Sequence, residues 1–154
     1  MAEVRVFNGA ESVRAAVGEH LGYSDWLEVT QERVNTFADA TDDHQWIHVD
    51  VERAASGPFG GPIAHGFLTL SLLIPLWTEL LELRGVGMAV NYGLNKVRFP
   101  APVPVGSKVR LGATLAQLQD VPGGGVEAVI DAVIECDASP KPVCVAQVVH
   151  RYYP

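Results

Sequence analysis

One segment of the sequence is apolar on nearly every side of the helix that it would form. Between Gly66 and Leu83 the large apolar residues leave almost no polar face. A helix that is apolar nearly all round is a buried one, so the sequence predicts a long central helix over about residues 66–83. Pro75 should kink this helix, because proline has no N–H to donate to the carbonyl of Ser71.

After Gly87 the apolar pattern changes to a period of two, which is typical of strands. Four strands are predicted, over residues 88–99, 108–118, 126–136 and 143–153. In the third strand Glu127, Asp131 and Glu135 share one face. Sequential strands joined by short turns pair antiparallel. The predicted fold class is therefore α+β, with a mostly antiparallel sheet packed against the buried helix.

The first third of the chain predicts shorter elements. Asn8 is a candidate cap for a helix over residues 10–21, and residues 26–29 read as a short strand. Thr30 can cap a second helix that stops near Thr41. Asp50 can cap a single helical turn that ends at Ser56.

Composition limits the classes of partner. The 154 residues suit one domain spanning residues 1–154, and a formal net charge of −7 disfavours nucleic-acid and anionic-membrane binding. The chain starts without a basic, apolar leader, and the run over residues 67–83 is too polar for a membrane span. Two cysteines, with no C-x-x-C pair, predict no disulfide framework. A cytoplasmic location is expected.

The polar loop over residues 42–48 contains the first candidate for catalysis. Asp43 and His48 are five residues apart, and a carboxylate and an imidazole held near one water can act as acid and base at neutral pH. The alternative is that Asp43 caps a turn and His48 is an ordinary polar loop residue. Spacing alone does not decide between them.

The loop over residues 57–66 delivers the chain to the start of the apolar helix. A helix N-terminus presents free N–H groups and the positive end of the helix dipole. Gly66 has no side chain and would let a substrate oxygen approach its N–H, as in an oxyanion site. The alternative is that these glycines are turn residues.

Further candidates are weaker. Lys96, Arg98, Lys108 and Arg110 would lie on two adjacent strands, where they could hold ligand phosphates or form a solvated strand face. His65 precedes the helix and is expected to be packed or hydrogen-bonded rather than a base. His44 and His48 lack a zinc-binding context, so no metal site is predicted.

Three runs in order resemble the MaoC-like dehydratases, the (R)-specific enoyl-CoA hydratases with a hydratase 2 motif. They are FADATDDHQWIH at residues 37–48, GPIAHG at 61–66 and NYGLNKVRFPAPV at 91–103. The usual motif ends Gly-Asp-x-Asn-Pro-Leu-His, so its Asp and His fall on Asp43 and His48. Asp42, Gln45 and Trp46 depart from it, and this variant is similar to the nodulation-protein-N-like branch.

The resemblance implies a hot dog fold, in which an antiparallel sheet wraps around the central helix, and a homodimer or higher assembly. It implies a lyase of fatty acid metabolism that reversibly hydrates trans-2-enoyl-CoA to (R)-3-hydroxyacyl-CoA. Asp43 and His48 would activate the water, and the Gly66 N–H would stabilise the enolate oxygen. No cofactor is implied, because coenzyme A belongs to the substrate, which could instead be an acyl-carrier-protein thioester.

The resemblance also implies candidate substrate contacts at Gln45, His65, Tyr92, Asn95, Lys96 and Arg98. Two other functions stay open. A hot dog acyl-CoA thioesterase would direct its water at C1 of the acyl group rather than at C3. A non-catalytic acyl-thioester-binding protein would have no need of the Asp43 and His48 pair.

Overall fold

The computed structural model describes residues 2–154. Its strands, in chain order, are β1 (Arg5–Asn8), β2 (His20–Tyr23), β3 (Leu27–Glu28), β4 (Leu81–Arg84), β5 (Met88–Arg98), β6 (Lys108–Val121), β7 (Gly125–Cys136) and β8 (Cys144–Tyr153). Its helices are α1 (Ala10–Arg14), α2 (Gln31–Thr41), α3 (Trp46–Val49), α4 (Val51–Ala55), α5 (Gly66–Ser71) and α6 (Leu73–Trp77).

The main sheet is antiparallel, with the strand order β2-β6-β7-β8-β5, and β3 pairs beside β2 on β6. β7 alternates as its sequence predicts. The predicted inner-face residues Ala128, Ile130, Ala132 and Ile134 are all buried. Its acidic residues lie on the outer face, where Glu127 pairs with Arg151 and Glu135 with Arg110. The inner face covers the central helix, so the α+β prediction is confirmed.

The central helix is shorter than predicted. It runs as α5 and α6 from Gly66 to Trp77, with an interruption at Leu72, close to where Pro75 leaves the Ser71 carbonyl without its usual donor. The predicted continuation to residue 83 is wrong, because β4 forms there and pairs in parallel with β1. The backbone groups of residues 81–84 bond to β1 there instead of forming the i→i−4 bonds of a helix. The helix packs into the core through its buried residues Leu68, Leu72, Leu73, Leu76 and Trp77.

Two N-terminal expectations also need correction. The first helix ends at Arg14 rather than at residue 21, and its N-cap is Gly9, since Asn8 belongs to β1. Gly18, with a φ of 91°, turns the chain towards β2, a conformation that few other residues adopt. The caps at Thr30 and Asp50 are confirmed, as each side chain accepts an N–H three residues on.

The strand order separates the two halves of the predicted basic cluster. β5, with Lys96 and Arg98, pairs with β8, whereas Lys108 and Arg110 lie on β6, with β7 and β8 in between. Arg110 is also engaged, because it pairs with Glu135 and its guanidinium lies over the ring of Tyr23. The expected adjacency of these two strands is wrong. β5 is an edge strand whose residues are mostly exposed.

Candidate active site

The loop that carries Asp43 starts with a sharp reversal at the end of α2. Asp42 has φ 59° and ψ 23°, the left-handed conformation that glycine adopts most easily and that Asp tolerates. In the described part of the chain, Asp42 is the only non-glycine residue that has a positive φ. The reversal ends α2, and residues 43–45 then lead into the single helical turn α3.

His48 lies on α3, and its ring is fixed by one short hydrogen bond. Its Nδ1 lies 2.7 Å from the carbonyl oxygen of Ile63, and a carbonyl can only accept, so Nδ1 carries a proton. In the neutral ring, Nε2 then keeps its lone pair. Gln31 donates to the His48 carbonyl at 2.8 Å, which fixes the backbone as well. The side chain is buried, in contrast to the alternative of an ordinary polar loop residue.

His65 stacks on His48 with the ring centroids 3.8 Å apart. Its Nε2 donates to the backbone carbonyl of Asp43 at 2.9 Å, so it ties the loop of residues 42–48 to the start of α5. Its Nδ1 is buried and has no partner within residues 2–154. The expectation of a packed, hydrogen-bonded residue is met at His65. Burial lowers its pKa from 6.5, and the neighbouring His48 adds to this effect.

Side-chain atoms of Asp43, His48 and His65 all lie within 4.8 Å of one another. The Asp43 carboxylate is exposed, and its Oδ1 accepts the Gln45 N–H at 3.5 Å. A carboxylate and imidazole nitrogens with free lone pairs can hold and deprotonate one water. The structure thus brings together Asp43 and His48, the two residues predicted as acid and base. The third member, His65, was expected from the sequence as a candidate substrate contact and not as a base.

The same three groups are of the kinds that bind zinc. Within residues 2–154 they are the only group of three such side chains close enough together to hold one metal ion. The sequence predicted no metal site. His44, which the sequence analysis paired with His48, bonds to Asp39 at 2.8 Å and is not a member.

Gly66 is the first residue of α5. A Cβ atom built there would lie 3.1 Å from the ring of Phe99, so a side chain would displace that ring. Within residues 2–154 the Gly66 N–H has no hydrogen-bond partner, as expected for the first residue of a helix. A cavity of about 340 Å³ opens beside it, lined by residues that include Phe59 and Thr69.

The other expected substrate contacts are more dispersed. Tyr92 and Asn95 contact Arg151 and Gln147 of β8, whose side chains alternate with the buried ones and so point to the outer face of the sheet. Lys96 and Arg98 are exposed on the same edge strand, and Gln45 is exposed beside Asp43.

The sequence profile of the MaoC like domain matches residues 12–135. The chain belongs to the MaoC-like family. It is 55% identical over 149 residues to "3-hydroxyacyl-thioester dehydratase Z" of Mycobacterium tuberculosis (strain H37Rv), which covers 97% of this chain and 99% of that protein. It is 43% identical over 136 residues to "Nodulation protein N" of Rhizobium leguminosarum bv. viciae, covering 87% and 84% of the two chains. The expected likeness to that branch is confirmed.

Solved structures confirm the hot dog fold of this MaoC-like chain. The "Monoamine oxidase regulatory protein" of Archaeoglobus fulgius has a TM-score of 0.77 at 26% identity, with 98% of each chain covered. The (R)-hydratase of A. caviae has a TM-score of 0.72 at 24% identity, over 90% of this chain and 96% of that one.

Within residues 2–154, none of the helices combines the length and the apolar character needed to cross a bilayer.

The lowered pKa of His65 predicts a pH effect on stability. The folded protein holds this imidazole neutral, so below pH 6.5 the unfolded chain binds more protons, and stability is lost as the pH falls. Melting temperatures measured from about pH 7.5 to about pH 5.5 should fall less steeply in His65→Phe than in the unchanged protein. The exposed His20→Phe is the control and should keep the full slope. An equal slope in His65→Phe would contradict the prediction.

Proposed function

We propose that this MaoC-like chain is an (R)-specific 3-hydroxyacyl-thioester dehydratase, a hydro-lyase that works reversibly as an enoyl-CoA hydratase. The observation that carries the proposal is the meeting of the Asp43 carboxylate with His48, whose Nδ1 is held by the Ile63 carbonyl. The 55% identity to a protein named as a 3-hydroxyacyl-thioester dehydratase supports the same substrate class.

In the hydration direction, a water held between Asp43 and His48 attacks C3 of a trans-2-enoyl thioester. The pair takes one proton from the water as the new C–O bond forms. The electrons of the double bond move onto the thioester oxygen as an enolate. The same pair then returns a proton to C2 on the same face, which gives syn addition and the (R)-3-hydroxyacyl product. All atoms come from the water and the substrate, and no electrons are gained or lost overall, so the reaction needs no redox cofactor.

The enolate oxygen needs a fixed hydrogen-bond donor. The Gly66 N–H can supply it, because it is unpaired within residues 2–154 and lies at the positive end of the central helix. His65 acts here as a positioning residue, because it holds the Asp43 backbone and stacks on His48. Gln45 lies at the exposed side of the same loop, where a substrate would enter.

Replacing either member of the pair should remove most of the activity. Loss of one acid or base group lowers the rate by ~10²–10⁴, so Asp43→Asn and His48→Gln should each lose that much hydration of trans-2-enoyl-CoA. The measurement follows the enoyl absorbance and, in parallel, the release of free thiol. Melting temperatures check that both variants fold.

His44→Gln is the matched control, since His44 lies in the same loop but bonds to Asp39 instead. It should keep normal turnover. Near-normal hydration in either pair variant would contradict the assignment. Thiol release by the unchanged protein would favour a thioesterase, and binding without turnover would favour a non-catalytic thioester-binding protein.

The carrier is proposed to be coenzyme A, with Lys96 and Arg98 contacting its phosphates. Both cations are exposed on β5, which leads to Phe99 beside Gly66. Tyr92 and Asn95, on the same strand, are candidate contacts at the outer face.

Neutralising these cations should raise KM more than it lowers kcat. Phosphates far from C3 bind equally in the ground and transition states, so Lys96→Gln and Arg98→Gln should affect a coenzyme A thioester and spare a short N-acetylcysteamine thioester. Lys141→Gln, in an exposed turn, is the control. An unaltered KM for the coenzyme A substrate in both variants would show that these side chains are a solvated strand face.

The assembly is proposed to be a homodimer formed through β5. This edge strand presents unpaired backbone groups and exposed apolar side chains, among them Met88 and Leu94. Light scattering at micromolar concentration should give about twice the chain mass of 16.6 kDa. Leu94→Lys should shift the mass towards one chain, and Val51→Lys, equally exposed on α4, should not. A stable monomer of the unchanged protein would overturn the proposal.

A further inference from the structure

Two further cavities lie along the central helix, with volumes of about 230 and 520 Å³. Both lie between the helix and the strands β5 and β8, and residues of β4 also line the larger one. Both are lined by Ile74, Asn91 and His150, so they adjoin one another at these residues. Most other lining residues are apolar. We refer to the two cavities together as the helix groove.

His150 is a polar side chain in the wall of the helix groove. It is 4% exposed, and its Nε2 is buried without a hydrogen-bond partner within residues 2–154. Its neighbours do not satisfy it, because Trp77 and Tyr152 present their ring edges to it, and the Trp77 N–H donates to the Tyr152 hydroxyl at 3.1 Å. The active site described above does not use this residue.

Asn91 lies directly opposite His150 in the β5–β8 pairing. Within the described chain its amide makes no side-chain hydrogen bond, unlike Asn95, which bonds to Gln147. The two unpaired groups therefore face the same space from neighbouring strands. Burial lowers the pKa of His150, which keeps the imidazole neutral and able both to donate and to accept.

A purely hydrocarbon chain in the groove would leave the buried His150 Nε2 without a partner. A buried polar group without a hydrogen bond is destabilising, because nothing replaces the water that it has lost. An oxygen atom on the ligand would remove that penalty at His150 and would also pair with Asn91. The wall chemistry thus favours a ligand that is apolar along most of its length and polar at one point.

We propose that the helix groove selects acyl chains that carry a hydroxyl or oxo group, which hydrogen-bonds to His150 and Asn91. This inference rests on the proposed function, since it assumes that the thioester is held at Gly66. Ile74 lies eight residues further along the helix, or about 12 Å. An extended chain advances about 1.2 Å per bond, so the oxygen belongs near carbon 10 of the acyl chain.

The experiment compares three coenzyme A thioesters on the unchanged protein: trans-2-dodecenoyl, its 10-hydroxy derivative and its 6-hydroxy isomer. Hydration of the 10-hydroxy substrate should show about tenfold higher kcat/KM than the plain one, the equivalent of one good hydrogen bond. The 6-hydroxy isomer should show no gain, because its oxygen lies against apolar wall.

Two variants connect the preference to the named groups. His150→Phe and Asn91→Leu should each reduce the 10-hydroxy preference several-fold while the plain substrate is still hydrated. His20→Phe, an exposed histidine on the opposite edge strand β2, should keep the preference in full. Asn91 is itself exposed, so Asn91→Leu gives a readout even if His150→Phe does not fold.

The outcomes separate the two proposals. Hydration of the plain thioester with no preference for the 10-hydroxy chain overturns this inference alone, and would mean that water occupies the groove beside His150. A preference that survives both variants also overturns it. No hydration of any thioester overturns the proposed function, and this inference with it.

Discussion

The hydrogen bond from the His48 ring to the Ile63 carbonyl fixes the chemistry of the site. It sets which nitrogen carries the proton, and so leaves Nε2 with the lone pair that the proposed mechanism uses. Its strength depends on how firmly Ile63 is held. The Ile63 N–H donates to the Ile47 carbonyl at 3.0 Å, and the residue bridges to Pro104. Ile63 thus joins the loop of residues 42–48 to the segment before α5 and to Pro104, so a rotation of the His48 ring would break one of the contacts that hold these segments together.

The same short segment also supplies the rest of the site. Within four residues, Ile63 orients His48, His65 stacks on it and holds the Asp43 backbone, and Gly66 offers a free N–H. The segment is rigid because the helix that follows is anchored in the core through Leu72, Leu73 and Leu76, which are almost fully buried. Reactive groups placed by such a scaffold need little reorganisation during the reaction. The apolar helix is therefore a structural requirement of the chemistry as well as of the fold.

Apolar periodicity in the sequence predicted much of this fold, and pairing with a distant part of the chain explains the error at the end of the central helix. The four strands from residue 88 onwards were expected within three residues at each end. The central helix was extended too far because Leu81 and Leu83 continue its apolar run. The alternation Leu-Glu-Leu-Arg already had the period of a strand, but the partner β1 is more than seventy residues away. Likewise, spacing brought Asp43 and His48 together as candidates, whereas His150 and Asn91 meet only through strand pairing.

The three departures from the family motif change side chains while leaving the backbone able to place His48. Asp42 stands where the motif has glycine and adopts a left-handed conformation that Asp tolerates. Trp46 stands where the motif has proline, and it is the first residue of α3, a position that favours proline because its N–H would be unpaired in any case. Tryptophan lacks the fixed φ of proline, but its ring makes contacts that proline could not. The Arg53 guanidinium lies over the ring, and a Cβ atom at Gly57 would lie only 2.9 Å from it. The packing of Trp46 thus takes the place of the proline ring in holding the turn α3, in which His48 bonds to the Ile63 carbonyl.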